Sequence, residues 1–202
     1  MIELGHQLGL ADHLAKGRLY LGWTVAAAGQ HQEGLAMIEE AFGIERESGT
    51  PEDFAIYSDI LAETLVLAGR TGAALDEAER AIADTEERAW PLWLPELHRR
   101  RGEILLALSA PRADEAEACF GEALTLARNQ GSKSLELRAA CSLARLWRRG
   151  GRRDAARQLL GEIYYWFGEG VDTPDLRDAR RELDALGVQR LSGQPARGDA
   201  AR

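Results

Sequence analysis

Lysine is nearly missing from this 202-residue chain: only Lys16 and Lys133 occur, so arginine carries almost all the positive charge. Acids exceed bases, 33 Asp and Glu against 25 Lys and Arg, giving a formal net charge of -8. That balance argues against nucleic-acid binding by the domain as a whole. Cysteine is scarce too. Cys119 and Cys141 form no CxxC and have no Cys/His ligand spacing, so they read as small buried residues kept reduced in a cytosol. A cytoplasmic location is expected. His6, His13, His31 and His98 are scattered, and no third ligand sits near the His6/His13 pair, so neither a metal nor a cofactor is expected. No apolar run approaches the ~20 residues needed to span a bilayer, which predicts no membrane partner. The start, MIELGHQLGLADHLAKG, lacks the basic end and apolar core of a signal peptide. It reads as the middle of a helical array, which predicts a preceding repeat.

Signatures of catalysis are missing as well. No GxxxxGK[ST] phosphate-binding loop occurs. Glu39-Glu40, Glu86-Glu87 and Glu115/Glu117 read as solvated helix faces, not as carboxylates in a dry pocket. No Ser/His/Asp set follows a nucleophile elbow. No catalytic residue is assigned, and the chain is not expected to be an enzyme. Aromatics are only 6% of the chain, so the five tryptophans stand out as large packing groups.

What is present is a pattern in four copies. Copy one reads Leu21-Gly22, Gly29, Gly34, Ile38, Ala41, and copy two reads Leu61-Ala62, Gly69, Ala74, Ala78, Ala81. Copy three reads Gly102, Ala116, Phe120, Ala123, and copy four reads Leu143-Ala144, Gly151, Ala156, Leu160, Ile163. The first small positions are 40 residues apart from Gly22 to Ala62, 40 from Ala62 to Gly102 and 42 from Gly102 to Ala144. A fixed period in this range means stacked helical pairs.

Turn signals divide the chain accordingly. Pairs are predicted at about 10–47, 51–87, 95–129 and 133–167, with residues 2–8 ending an earlier helix. Thr50-Pro51 reads as a helix start, and Gly150-Gly151 as a stop. Trp90-Pro91-Leu92-Trp93-Leu94-Pro95 reads as a stiff apolar junction. Trp147, Trp166 and Phe167 are expected to pack, the last two anchoring the final helix. Asp172-Thr173-Pro174-Asp175 opens that charged helix at 173–186, with Leu176, Ala179 and Leu183 on one stripe. It would cap the stack. The repeat domain is thus 1–186, and the polar tail 187–202 reads as disordered.

The small–large–small grammar resembles the tetratricopeptide repeat, although the period exceeds its usual ~34 residues by about one and a half helical turns. The resemblance implies an all-α, right-handed α-solenoid of about four helical pairs plus a C-terminal capping helix. A closer likeness rests on Glu96-Leu97-His98-Arg99 with Gly102-Glu103-Ile104-Leu105-Leu106, on Lys133 through Ala140, on Ser142 through Trp147, and on Trp166-Phe167 with Glu169-Gly170 and Asp172-Thr173. These strings are similar to the C-terminal tetratricopeptide region of bacterial adenylate/guanylate cyclase or winged-helix regulators that carry a STAND-type ATPase.

This resemblance implies a non-catalytic interaction and regulatory module for signal transduction, the sensor or scaffold region of such a protein. Its partner would be another protein or the upstream ATPase or cyclase domains. First helices of such pairs line a groove. Carried over, the binding positions are Trp23, Asp59, Glu63, Glu96, Arg99, Glu103, Arg138 and Arg145, grading from apolar through acidic to basic. An extended peptide or partner helix would fit. Equally, the charges could pair with one another between neighbouring helices. A small-molecule effector in the groove near Trp23, Asp59 and Arg99 is the alternative function. If Leu10, Leu14 and Leu21 are left uncovered, a homodimer through the uncapped N-terminal end, or contact with a preceding domain, is expected.

Overall fold

The computed structural model describes residues 11–48, 53–170 and 172–187. The predicted helix end at 2–8, the Thr50-Pro51 start and all of the tail except Gly187 lie outside them. Among the described residues the chain is all helical, with no strands. The helices are α1 (Ala11–Ala27), α2 (His31–Ser48), α3 (Phe54–Leu67), α4 (Thr71–Glu87), α5 (Leu94–Ala107), α6 (Ala113–Asn129), α7 (Lys133–Arg149), α8 (Arg153–Tyr164) and α9 (Pro174–Ala185). One 3₁₀ turn, Pro91–Trp93, leads into α5.

Five of these helix ends repeat a single device. At the ends of α1, α3, α4, α6 and α7, one N–H reaches back three residues and the next reaches back five, which satisfies carbonyls a helix end would orphan. Gly69 N–H donates to Val66 C=O at 3.0 Å and Arg70 N–H to Leu65 C=O at 2.8 Å. The same pair of bonds closes at Gly29-Gln30, Gly131-Ser132 and Gly151-Arg152. The device needs a left-handed residue, and Gly69 has φ 78°. At the end of α4 the position belongs to Ala89, at φ 53°, with Trp90 N–H on Thr85 C=O at 3.3 Å. A Cβ there is strained. Ala89→Gly should therefore stabilise the protein by about 0.5–1 kcal/mol, the strain relieved exceeding the added chain entropy. Urea unfolding would check it; a lower midpoint would contradict the strain argument.

The chain clusters into two compact units, one ending at Arg112 and the other starting at Ala113. In the first, α1 packs on α2 and α3 on α4, while α3 also meets α1 and α5. The α1/α2 crossing is close because two glycines face each other. A Cβ on Gly34 would sit 2.6 Å from the backbone nitrogen of Ala26, and one on Gly22 would sit 2.8 Å from the carbonyl oxygen of Gly34. Around this crossing Leu19, Ile38, Phe42, Tyr57 and Leu65 form the core. Phe42 meets Phe54 and Tyr57 edge-on, with ring centres 6.1 and 6.4 Å away.

In the second unit α7 packs between α6 and α8, and α9 lies against both α7 and α8. The stripe Leu176, Ala179, Leu183 is buried, as its spacing predicts, and joins Leu137, Leu160 and Ile163 in one core. Burying each such leucine contributes about 1.5–3 kcal/mol. The aromatic run after α8 divides differently from the sequence reading. Only Phe167 packs on this core. Trp166 is 61% exposed, with the Lys133 ammonium 5.6 Å from its ring. The chain leaves the helix at Tyr165, where helical periodicity no longer decides which ring faces inward. Trp90, at the stiff junction, likewise faces out, at 50% exposure.

Candidate functional site

In the first unit the first helices, α1, α3 and α5, present a continuous polar row. Asp59 and Glu63 are four apart on α3, so they share a face. Glu96, Arg99, Arg100 and Glu103 recur on α5 at helical spacing and share another. Packing brings the two faces together on Arg100. Its Nε donates to Asp59 Oδ1 at 2.6 Å and its Nη2 to Glu63 Oε2 at 3.1 Å. Its Nη1 lies 3.6 Å from Glu103 Oε2. Two indoles complete the row: Trp93 Nε1 donates to Asp59 Oδ2 at 3.4 Å and Trp23 Nε1 to Glu63 Oε2 at 3.3 Å. Along α5 itself, Arg99 makes a two-pronged bond to Glu96, at 2.6 and 3.0 Å, and also pairs with Glu103.

Burial orders these groups. Asp59, Glu96, Arg99 and Arg100 are buried, whereas the Glu63 and Glu103 side chains remain about one-third accessible. Burial pushes the Asp59 carboxyl above the ordinary carboxylate range, against the pull of the Arg100 charge. Burial also works against the two guanidiniums, but their carboxylate neighbours more than offset it, and both are raised. The arrangement thus fixes charge in place. Asp59 and Glu96 are bonded to guanidiniums, which suits recognition better than proton transfer.

The row in the second unit is matched differently. Arg138, Arg145 and Arg148 lie along α7, and α9 lays its acids over them. Arg138 Nε is 3.8 Å from Asp175 Oδ1, and Arg148 Nε donates to Glu182 Oε1 at 2.5 Å. Arg145 pairs with Asp178, and its Nε lies 3.8 Å from Glu182. The basic end expected from the sequence is therefore lined by acids of the same chain. Cys141, on the same face, is buried, which pushes its thiol up to about 12. Cys119 is buried as well. Both should resist a thiol reagent such as DTNB in the folded protein and react rapidly in denaturant; fast labelling without denaturant would contradict this burial.

Two further arginines are matched by acids. Arg101 reaches Glu79 at 2.9 Å. Arg152 donates to Glu117 at 2.7 Å and lies over the Trp147 ring at 5.1 Å, and Trp147 Nε1 donates to the same carboxylate at 2.8 Å. Hydrogen bonds from Arg152 hold the Glu117 carboxyl below its ordinary range. Among the described residues no group of three or more His, Cys, Asp or Glu is placed to hold a metal ion, and no helix is long and apolar enough to cross a membrane.

The structure places six of the sequence-derived positions, Trp23, Asp59, Glu63, Glu96, Arg99 and Glu103, on the first row, and Arg138 and Arg145 on the second. Sequence reasoning missed Arg100, which joins α3 to α5, and the acids of α9. A usable signal was present: partners sit about one repeat apart. Trp23 and Glu63 are separated by 40 residues, Asp59 and Arg100 by 41.

This architecture is a tetratricopeptide-like helical repeat. Solved structures with the same fold include BtubC from P. vanneervenii, 18% identical with a TM-score of 0.73, covering 92% of this chain and 78% of that one. The Rap conjugation regulator of plasmid pLS20, in complex with a Phr peptide, is 16% identical with a TM-score of 0.71, over 92% of this chain and 50% of that one. A STAND ATPase with a tetratricopeptide repeat sensor from Pyrococcus horikoshii is 15% identical with a TM-score of 0.65, over 87% of this chain and 26% of that one. No family model matches the chain. An uncharacterized protein of Rhizobium meliloti strain 1021 is 34% identical over 128 residues, which span 63% of this chain and only 12% of that protein.

Proposed function

We propose that this chain is the sensor or scaffold region of a bacterial signalling protein, a STAND-type ATPase, cyclase or transcriptional regulator, and that its inner helical row docks a protein segment. The observation that carries the reading is the row on α1, α3 and α5, whose guanidiniums and carboxylates are fixed in place beside an exposed indole. Preset charges and a rigid aromatic suit recognition of a segment. The likeness to a STAND protein's repeat sensor and to a peptide-bound regulator supports it, as does a relative far longer than this chain. In such a protein, docking would shift the population of the upstream domains between states through differential contacts.

An effector pocket has less support. One cavity, of about 20 Å³ among Ser58, Thr85, Arg88 and Trp90, has room for about one water and lies away from the row. A broader hollow, of about 610 Å³, lies at the hairpin tips around Gly29–Glu33 and Leu67–Gly69.

The test places a photo-crosslinking amino acid at Leu67, which is 40% exposed on α3, in the natural gene product. A matching probe at Glu86, on the exposed face of α4, is the control. Cross-links to a defined segment of another domain or protein from Leu67 alone support docking on the row. Equal yields at the two positions would count against it. An in-frame phosphate-binding loop upstream would support the ATPase setting.

A further inference from the structure

We infer that α1 is covered, on the side that carries Leu14, Gly17 and Leu21, by the second helix of a further helical pair in the same polypeptide. This is not the face read above as the docking row, so the inference stands or falls apart from that reading. The first observation is a stripe that recurs on the first helices at i, i+3 and i+7. On α9 it is Leu176, Ala179 and Leu183, and the same places on α1 are Leu14, Gly17 and Leu21. Its last place is Leu21, Leu61, Arg101, Leu143 and Leu183 in turn, at steps of 40, 40, 42 and 40 residues. In each later copy the second helix of the pair before lies over this stripe. Phe42 of α2 meets Phe54 and Tyr57 of α3 edge-on, with ring centres 6.1 and 6.4 Å away. Arg101 of α5 reaches Glu79 of α4 at 2.9 Å, and Leu97 shares a small core with Ala81 of α4. Leu143 is buried on α7, against which α6 packs, and Leu183 shares a core with Leu160 and Ile163 of α8. Leu61, Leu143 and Leu183 are no more than 7% exposed, whereas Leu21 is 44% exposed.

A lone exposed leucine means little. Leu21 differs because the same chain buries its place in three other copies, each time under the same kind of element. The second observation is the chemistry of the bare face. A helix that closes a stack needs a polar outer face. On α9 the exposed residues include Arg177, Arg181 and Asp184. On α1 they include Leu21 and its neighbour Tyr20, itself 41% exposed. The cover is therefore apolar, a helix with large side chains such as α2 brings to its core with Leu35, Ile38 and Phe42. The register places it. Arg101 and Glu79 are 22 residues apart, so the residue that faces Leu21 lies just upstream of Met1. The Rhizobium meliloti relative has room for such a pair, since the matched stretch is only 12% of it.

The test compares this chain with the natural gene product, each carrying Leu21→Cys. Thiol labelling is followed by mass spectrometry of the peptide that holds the site, which separates it from buried Cys119 and Cys141. In this chain the introduced thiol should label as an exposed one. In the gene product it should label at least about tenfold more slowly, because a packed cover must open first. Ala36→Cys is the control: Ala36, Asp76, Ala118 and Gln158 hold one place on the second helices and all are exposed. It should label equally fast in both proteins. Circular dichroism would confirm that each variant folds. A photo-crosslinking amino acid at Leu21 in the gene product then identifies the cover. Links within one polypeptide, to a segment about 22 residues before Leu21, support the inference. Links between two copies would mean a dimer through α1 and overturn it. Equal labelling of Leu21→Cys in the two proteins, as in a gene product that starts at Met1, would overturn it as well and leave the docking reading untouched.

Discussion

Arg100→Leu should destabilise the first unit by about 3–5 kcal/mol, the cost of leaving a buried charge without its partner. Asp59 would then sit buried beside Glu63 with its main counter-charge gone. Replacing Asp59 with Asn at the same time should recover much of the loss, because the second variant removes the stranded charge. The pH dependence has a definite sign. Asp59 is already raised by burial in the native protein. A carboxyl raised on folding binds its proton more tightly in the folded state, so its contribution is most favourable below its unfolded value. That contribution is lost as pH rises through the folded one. Loss of Arg100 raises it further. The deficit of Arg100→Leu relative to the native protein should therefore shrink between pH 7 and pH 5. Urea unfolding at both values would measure it. A deficit that is small, or independent of pH, would mean that Arg100 packs by its stem alone.

Leu183→Ala should cost about 2–5 kcal/mol in the second unit. Leu183 is wholly buried and shares a core with Leu137, Leu160 and Leu186. The loss should also loosen α9, so the arginines of α7 would become freer and the Cys141 thiol, on the same face, more reactive. Thermal unfolding gives the first effect and thiol labelling the second. A melting point unchanged by Leu183→Ala would show that α9 is an appendage and not part of the core.

Much of the fold is legible in the residues because punctuation and packing agree. Helices α6 and α7 close at Gly131 and at the Gly150-Gly151 stop, and Leu176, Ala179 and Leu183 face inward as their stripe requires. Ala89 is silent in the sequence because nothing in an alanine signals a left-handed turn; only its place in the repeated device does. Trp166 misleads because size alone suggests burial, while its direction depends on a chain that has already left the helix. The site is legible in its register but not in its partners. Arg100 sits one residue past the groove position Arg99, and the twist between α3 and α5 decides which guanidinium reaches Asp59. That twist is a property of packing, which a run of three arginines does not encode.

These rows also make the helical pairs unequal. In packing they are near copies, with small residues at matching places. In charge each is written for its neighbour: Trp23 for Glu63, Asp59 and Glu63 for Arg100, Arg145 for Asp178. If α7 took the place of α3, Arg145 would stand where Glu63 stands, opposite Arg100, and like charges would meet in a half-buried setting. The modules therefore cannot be shuffled freely. Their order along the gene is held by electrostatics even where their shapes would permit any sequence.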